Sequence, residues 1–156
     1  MENGKHISAL DFSESTGRKK ALLGLDLGEK TIGVAVSDAS WLIASPLKTI
    51  RRKKFDADMA ELLKIIGQRS IGGIVSGLPV EMSGVEGQRA LATRSYAQKI
   101  ADFLNLPLYF QDERWSSKAV ERFMVADADF SRKKRKELID NTAAAYILQG
   151  FLDEVR

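Results

Sequence analysis

A single carboxylate set inside an apolar strand constrains this chain more than any other feature. The run Leu22-Leu23-Gly24-Leu25-Asp26-Leu27-Gly28 is followed, after Glu29 and Lys30, by Thr31-Ile32-Gly33-Val34-Ala35-Val36-Ser37-Asp38. With the two-residue period of a strand, Leu23, Leu25 and Leu27 share one face, and Gly24, Asp26 and Gly28 share the other. The second run repeats this, with Ile32, Val34 and Val36 on a bulky face and Thr31, Gly33, Ala35 and Ser37 on a small one. The short link makes the pair a hairpin. Asp26 is then surrounded by residues too small to cover it. An ionised carboxylate costs several kcal/mol to bury unpaired, so a cation or a solvent-open cleft is expected beside it.

A chain of 156 residues suits one domain with a substantial core. Residues 1–19 mix polar types without period and read as a flexible leader, leaving residues 20–156 as the single folded domain. The absence of cysteine excludes disulfides and thiolate metal sites and fits a reducing, cytoplasmic setting. The one histidine, His6, lies in the leader, which argues against a Ser/His triad or a histidine-rich zinc site. Chemistry must come from carboxylates, cations, hydroxyls or a bound metal. No apolar run reaches the length of a membrane span, so a soluble protein is expected. The net charge is only +3, but the bases cluster at Lys48, Arg51 to Lys54 and Arg132 to Lys136, where they either track a phosphate backbone or form solvated faces.

Beyond the hairpin, Pro46 to Ile50 reads as a third strand. Asp56 to Gly67 reads as a helix with Met59, Leu62, Leu63 and Ile66 inward, stopped by Gly67. Gly73 to Pro79 fits a buried parallel strand. A helix from Glu86 to Leu104 follows, with Ser83 and Glu86 in a capping-box pattern. Leu106 to Gln111 is the last strand, Ser117 to Met124 a short helix, and Ser131 to Leu152 a long one. Three meandering strands followed by helix, strand, helix, strand, helix describe an α/β fold: a mixed five-stranded sheet flanked by helices.

Three further acids invite comparison with Asp26. Asp112 and Glu113 end the last strand, where open α/β sheets place ligands, and are followed by Arg114, with which either could simply pair. Asp140 shares a helical stripe with Ala144, Ile147 and Phe151, so it heads the buried face. If the run Ala143-Ala144-Ala145 packs over Gly24, Gly33 and Ala35, Asp140 is carried toward Asp26; otherwise it caps the apolar half of its helix. Carboxylates gathered from separate elements repel, and a hard divalent cation, Mg²⁺ or Mn²⁺, resolves the conflict. Such a site hydrolyses phosphodiesters without histidine or cysteine. The loop Gly77 to Gly87 feeds a helix N-terminus suited to phosphate, with Arg89 and Arg94 beyond it. Trp115 either stacks on an unpaired base or packs.

These residues resemble the YqgF family, also called RuvX, of Holliday junction resolvases and ribosomal RNA precursor nucleases. The resemblance covers about residues 21–153. Its marks are Gly24 to Gly28 with Ile32 to Asp38, Gly77-Leu78-Pro79 with Gly84 and Glu86-Gly87, Asp112-Glu113-Arg114, and Asp140-Asn141-Thr142-Ala143-Ala144. It implies an RNase H-like fold related to RuvC. It also implies a divalent-metal nuclease whose acids fall on Asp26, on Glu113 or its neighbour Asp112, and on Asp140; Arg114, Arg89 and Lys30 are the candidate cations for binding the nucleic acid. The implied task is maturation of the 5′ end of pre-16S rRNA, with junction resolution in DNA as the alternative. RuvC-like enzymes end the strand after the first long helix with an acid, whereas here it ends Ser76-Gly77-Leu78-Pro79, so the second carboxylate must come from the next strand. A non-catalytic ribosome-assembly module is a competing reading. A phosphotransferase of the actin type, which also begins with Gly-x-Asp-x-Gly, needs two lobes that this length does not provide. Trimming one RNA end suits a monomer, and cutting two strands suits a homodimer.

Overall fold

The computed structural model describes residues 8–16, 20–79, 86–112 and 132–155, with residues 132–141 described as helix backbone only. Strands β1 (Ala21–Leu27), β2 (Thr31–Ser37) and β3 (Ala44–Arg51) form the antiparallel meander. The link is tight: the Gly28 amide donates to the Thr31 carbonyl at 2.8 Å. β4 (Ile71–Leu78) runs parallel to β1, and β5 (Leu108–Asp112) runs parallel to β4. The order β3-β2-β1-β4-β5 is the mixed five-stranded arrangement, a meander plus two parallel strands, expected from the sequence.

Strand alternation separates two cores. Leu23, Leu25, Leu27, Ile32, Val34 and Ile50 face helices α2 (Phe55–Ile66) and α3 (Gln88–Leu104), meeting Met59, Leu62, Ala97 and Ile100. The small face receives the final helix, α4 (Arg132–Glu154), through Ala144, Ile147, Leu148 and Phe151 against Leu22, Ala35 and Val75. Gly24 sits directly under α4. A Cβ built there would lie 2.9 Å from the Leu148 Cβ and 3.0 Å from the Ala144 carbonyl oxygen. The glycine and alanine patterns therefore fit one another as expected: each removes the side chain that would hold helix and sheet apart.

Several expectations change in detail. Leu63 is 48% exposed rather than inward, because the inner stripe of α2 is centred on Met59, Leu62 and Ile66 and leans toward Phe55 and Ile65. Gly67 does stop α2, at φ +59°. α3 begins at Gln88 with Gly87 as N-cap and no side-chain cap, so Glu86 is not the far half of a capping box. Its carboxylate instead grips Arg94 in a bidentate pair, Nε–Oε1 2.6 Å and Nη2–Oε2 2.9 Å, an interaction stronger than a neutral cap. Ser83 and the helix expected from Ser117 to Met124 lie outside the described residues.

The polar leader also departs from expectation. Ala9–Thr16 forms helix α1, its first turn closed by the Asp11 amide donating to the Ser8 hydroxyl at 3.1 Å. Phe12 is fully buried, edge-on to Phe151 at 5.3 Å and tilted against Tyr109 at 5.7 Å. The helix is seated on Gly72 and Gly73 of β4, where an added Cβ would collide with Thr16 and Phe12. The available signals were Ser8 with Asp11 as a helix start, the stripe Ala9, Phe12, Thr16, and a glycine pair in a central strand. No helix among the described residues is long and apolar enough to cross a membrane.

Candidate functional site at the carboxyl rim of the sheet

β1, β3, β4 and β5 all run the same way, so Leu27, Arg51, Leu78 and Asp112 end at one rim. Open α/β sheets bind ligands at that rim. Asp26 is half-buried in the last turn of the β1 pleat, on the α4 side. Across one edge it pairs with Gly33. Across the other it lies one residue beyond the Leu25–Ser76 pair, which brings Gly77 beside it. The carboxylate thus occupies a cradle with glycine on both neighbouring strands.

Asp112 pairs with Leu78 at the exposed end of β5, two strand spacings from β1, about 10 Å between backbones. Position 140 belongs to α4 and precedes Ala144 by one turn, about 6 Å along the axis. Gly24 and Asp26 are separated by about the same distance along β1. Glu113, Arg114 and Trp115 lie outside the described residues, as does the Asp140 side chain. Among the described residues no three acid, histidine or cysteine groups converge to hold a metal ion.

The expected cations divide. Lys30 is exposed in the β1–β2 link, and Arg89 is exposed in the first turn of α3. Arg94 is committed to Glu86 and lies over the Phe110 ring at 4.8 Å. In the basic run, Lys48 pairs with Val34 and so occupies the face opposite Asp26. Alternation along β3 is regular from Arg51 back to Lys48, so Lys48, three residues from Arg51, takes the other face, and the bulge at Leu47 lies beyond it. Arg51 pairs with Thr31 and shares the Asp26 face.

Arg52 does something the charge pattern did not suggest. Its Nη1 donates to the Gly28 carbonyl at 2.7 Å, and its guanidinium lies 4.1 Å from the centre of the Tyr96 ring. The Tyr96 hydroxyl donates to Asp58 Oδ2 at 3.2 Å, and Asp58 Oδ1 accepts the Lys53 amide at 2.8 Å. Burial, reinforced by the Asp58 carboxylate, pushes the Tyr96 phenol above its ordinary range. This brace joins the end of β3, the start of α2 and the middle of α3 to the hairpin two residues beyond Asp26.

The Ser37-Asp38 pair is structural. The Ser37 hydroxyl accepts the Leu22 amide at 2.8 Å and donates to the Asp38 carbonyl at 2.9 Å. Asp38 closes the β2–β3 turn by accepting the amides of Ser40, Leu42 and Ile43. The Ile43 amide, with the others of the turn, holds its carboxyl below the usual range against the opposing effect of burial. It sits at the rim opposite Asp26.

A family model described as RuvX, Holliday junction resolvase, matches residues 20–154. A protein of Rhodobacter capsulatus named "Putative pre-16S rRNA nuclease" is 54% identical over 145 residues, covering 93% of this chain and 91% of that one. A protein of the same name from Paramagnetospirillum magneticum is 52% identical over 147 residues, covering 94% of each. Among solved structures, T. thermophilus RuvC in complex with Holliday junction substrate aligns at a TM-score of 0.49 and 15% identity, over 87% of this chain and 96% of that one. The match spans both the meander and the final helix, and the chain belongs to the RuvX family.

Proposed function

We propose that this protein is a divalent-metal-dependent endonuclease acting on the 5′ region of pre-16S rRNA; the pre-16S rRNA nuclease name carried by its relatives supports the class of substrate. The observation that carries this reading is Asp26, half-buried at the carboxyl rim of the central strand and flanked by Gly33 and Gly77. The donor chemistry suits a hard cation, since the chain has no cysteine and its one histidine is far from β1 in sequence. Asp26, Asp140 and either Asp112 or Glu113 would hold Mg²⁺ or Mn²⁺. When bound there, the ion supplies activation of the attacking water and stabilisation of the leaving oxygen. The protein's own part is to hold the acids on separate rigid elements, which sets the geometry before substrate arrives. Lys30, Arg89 and Arg114 are assigned to orient phosphates. The absence of cysteine fits work in the cytoplasm. One protomer suffices to trim one RNA end.

A four-way DNA junction is the second substrate to test, because the family description names a resolvase. The experiment offers purified protein a pre-16S rRNA fragment and a four-way junction side by side, with and without Mn²⁺. Cleavage of the RNA that requires Mn²⁺ and disappears in Asp26→Asn, with the variant still folded, is the expected result. Full activity of Asp26→Asn removes the site. Metal-dependent cutting of the junction alone reassigns the substrate.

A further inference from the structure

The basic run is not an evenly solvated stretch of charge. Arg52 turns inward and is held at three points, by the Gly28 carbonyl, by the Tyr96 ring and, through its own amide, by the Lys30 carbonyl at 2.8 Å. Its neighbours Arg51, Lys53 and Lys54 are exposed, as is Lys30 across the ladder. The backbone beneath them is fixed as well. The Lys53 amide is bound by Asp58, whose residue is 2% exposed, and Lys54 is the N-cap of α2. Glu29 and Asp56 are the exposed acids beside this group, so four exposed cations face two exposed anions.

Its position is as informative as its charge. Arg51 pairs with Thr31, and the pairs Asp26–Gly33 and Gly33–Thr49 put it on the same face of the sheet as Asp26. Two strand spacings separate β3 from β1, about 10 Å. That distance equals about three nucleotides of rise along one strand of a duplex. We infer that Lys30, Arg51, Lys53 and Lys54 form a braced basic platform that grips the phosphodiester backbone of the nucleic-acid substrate a few nucleotides from the cleavage point at Asp26. This inference rests on the nuclease reading for its substrate, although binding can be measured without any cleavage. Pre-ordering is what separates the platform from a solvated charge run: the brace removes most of the backbone freedom that binding would otherwise have to freeze. The contacts are to phosphate, so they position the substrate and carry no sequence preference.

The test measures binding by fluorescence anisotropy in EDTA, using a labelled single-stranded RNA and a labelled four-way DNA junction. KCl is varied between about 50 and 200 mM, and the slope of log affinity against log salt is read. The triple variant Arg51→Gln, Lys53→Gln, Lys54→Gln is expected to lower that slope by about 2 on RNA and somewhat more on the junction, with affinity falling about tenfold or more at the lower salt. Lys64→Gln, an exposed charge removed on the far part of α2, is expected to leave the slope unchanged. Arg52→Gln leaves the four exposed cations in place but cuts the brace, and is expected to weaken binding with little change in slope. A triple variant that matches wild type in both slope and affinity overturns the platform, as does a wild type that shows no salt-dependent binding to either probe. Platform-dependent binding with no metal-dependent turnover would leave the platform standing and sink the nuclease reading. Asp26-dependent cleavage with platform-independent binding would do the reverse.

Discussion

Gly24 is the point at which the position of α4 over β1 can be tested most directly. In Gly24→Ala the new methyl would lie 2.9 Å from the Leu148 Cβ and 3.0 Å from the Ala144 carbonyl oxygen, where ordinary contact begins near 3.4 Å. Neither atom is the flexible end of a side chain, so α4 itself must retreat. A retreat of about 0.5–1 Å forfeits a quarter to a half of the dispersion attraction along the contact. Overpacking of this kind costs about 1–3 kcal/mol. Loss of glycine's freedom in the unfolded chain offsets about 0.4–1 kcal/mol of it. The expected outcome in urea denaturation is a destabilisation of about 1–2 kcal/mol, or roughly 2–8 °C in Tm for a chain of this size. Leu148→Ala in the same background keeps the offending Cβ and removes only the Cδ2 contact at 3.3 Å, so it should relieve part of the strain and no more, with a coupling of about 0.5 kcal/mol or above between these two touching residues in a double-mutant cycle. Gly24→Ala proving as stable as wild type, or being fully rescued by Leu148→Ala, would refute the close-approach reasoning.

Phe12→Ala removes the aromatic anchor of α1 and should cost about 3–5 kcal/mol, with amide exchange of residues 9–16 becoming fast; a loss under about 1 kcal/mol would show that α1 does not stabilise the fold. The Tyr96 phenol, raised in the folded state, contributes stability that is fully present below its ordinary value of 10.0 and is lost as pH rises through the folded value, so Tyr96→Phe should flatten the alkaline limb of a stability-versus-pH curve. Asp38 has the opposite sign: its lowered carboxyl contributes above 3.8 and the contribution is lost as pH falls through the folded value, so the Trp41 indole resonance, whose Nε1 donates to the Lys20 carbonyl at 2.8 Å, should hold its position on acidification until the pH is below 3.8 and shift there. Thr49 carries a buried hydroxyl with no hydrogen-bond partner among the described residues, and Thr49→Val should raise stability by about 1 kcal/mol in the same urea assay; a loss would mean that the hydroxyl is satisfied by a group outside them.

Much of the site's setting was legible from alternation alone. Leu23, Leu25 and Leu27 could only share a face, and Gly24 with Asp26 had to share the other, because the strand period is two wherever the ladder is regular. The alanines of the last helix and the glycine of the first strand each implied a partner without bulk, and they met. Failures came where a single residue's environment is made by elements distant in sequence. Phe12 looked like part of a polar leader because the surface that buries it, Gly73, Tyr109 and Phe151, comes from three remote segments. Arg52 looked like one base among four because its acceptor and its aromatic platform lie on β1 and α3.

The sequence by itself therefore determined the strand faces, the small-residue seam between sheet and final helix, the strand carrying Asp26 and the family. These follow from local period and side-chain volume, which neighbours in the chain specify. Only the tertiary structure decided that α1 docks, that Asp38 closes a turn at the far rim, that Arg94 belongs to Glu86, and which cations stand on the face of Asp26. Those outcomes depend on strand order and on long-range hydrogen bonds, and a linear pattern of charges does not encode which of its members has a partner waiting across the fold.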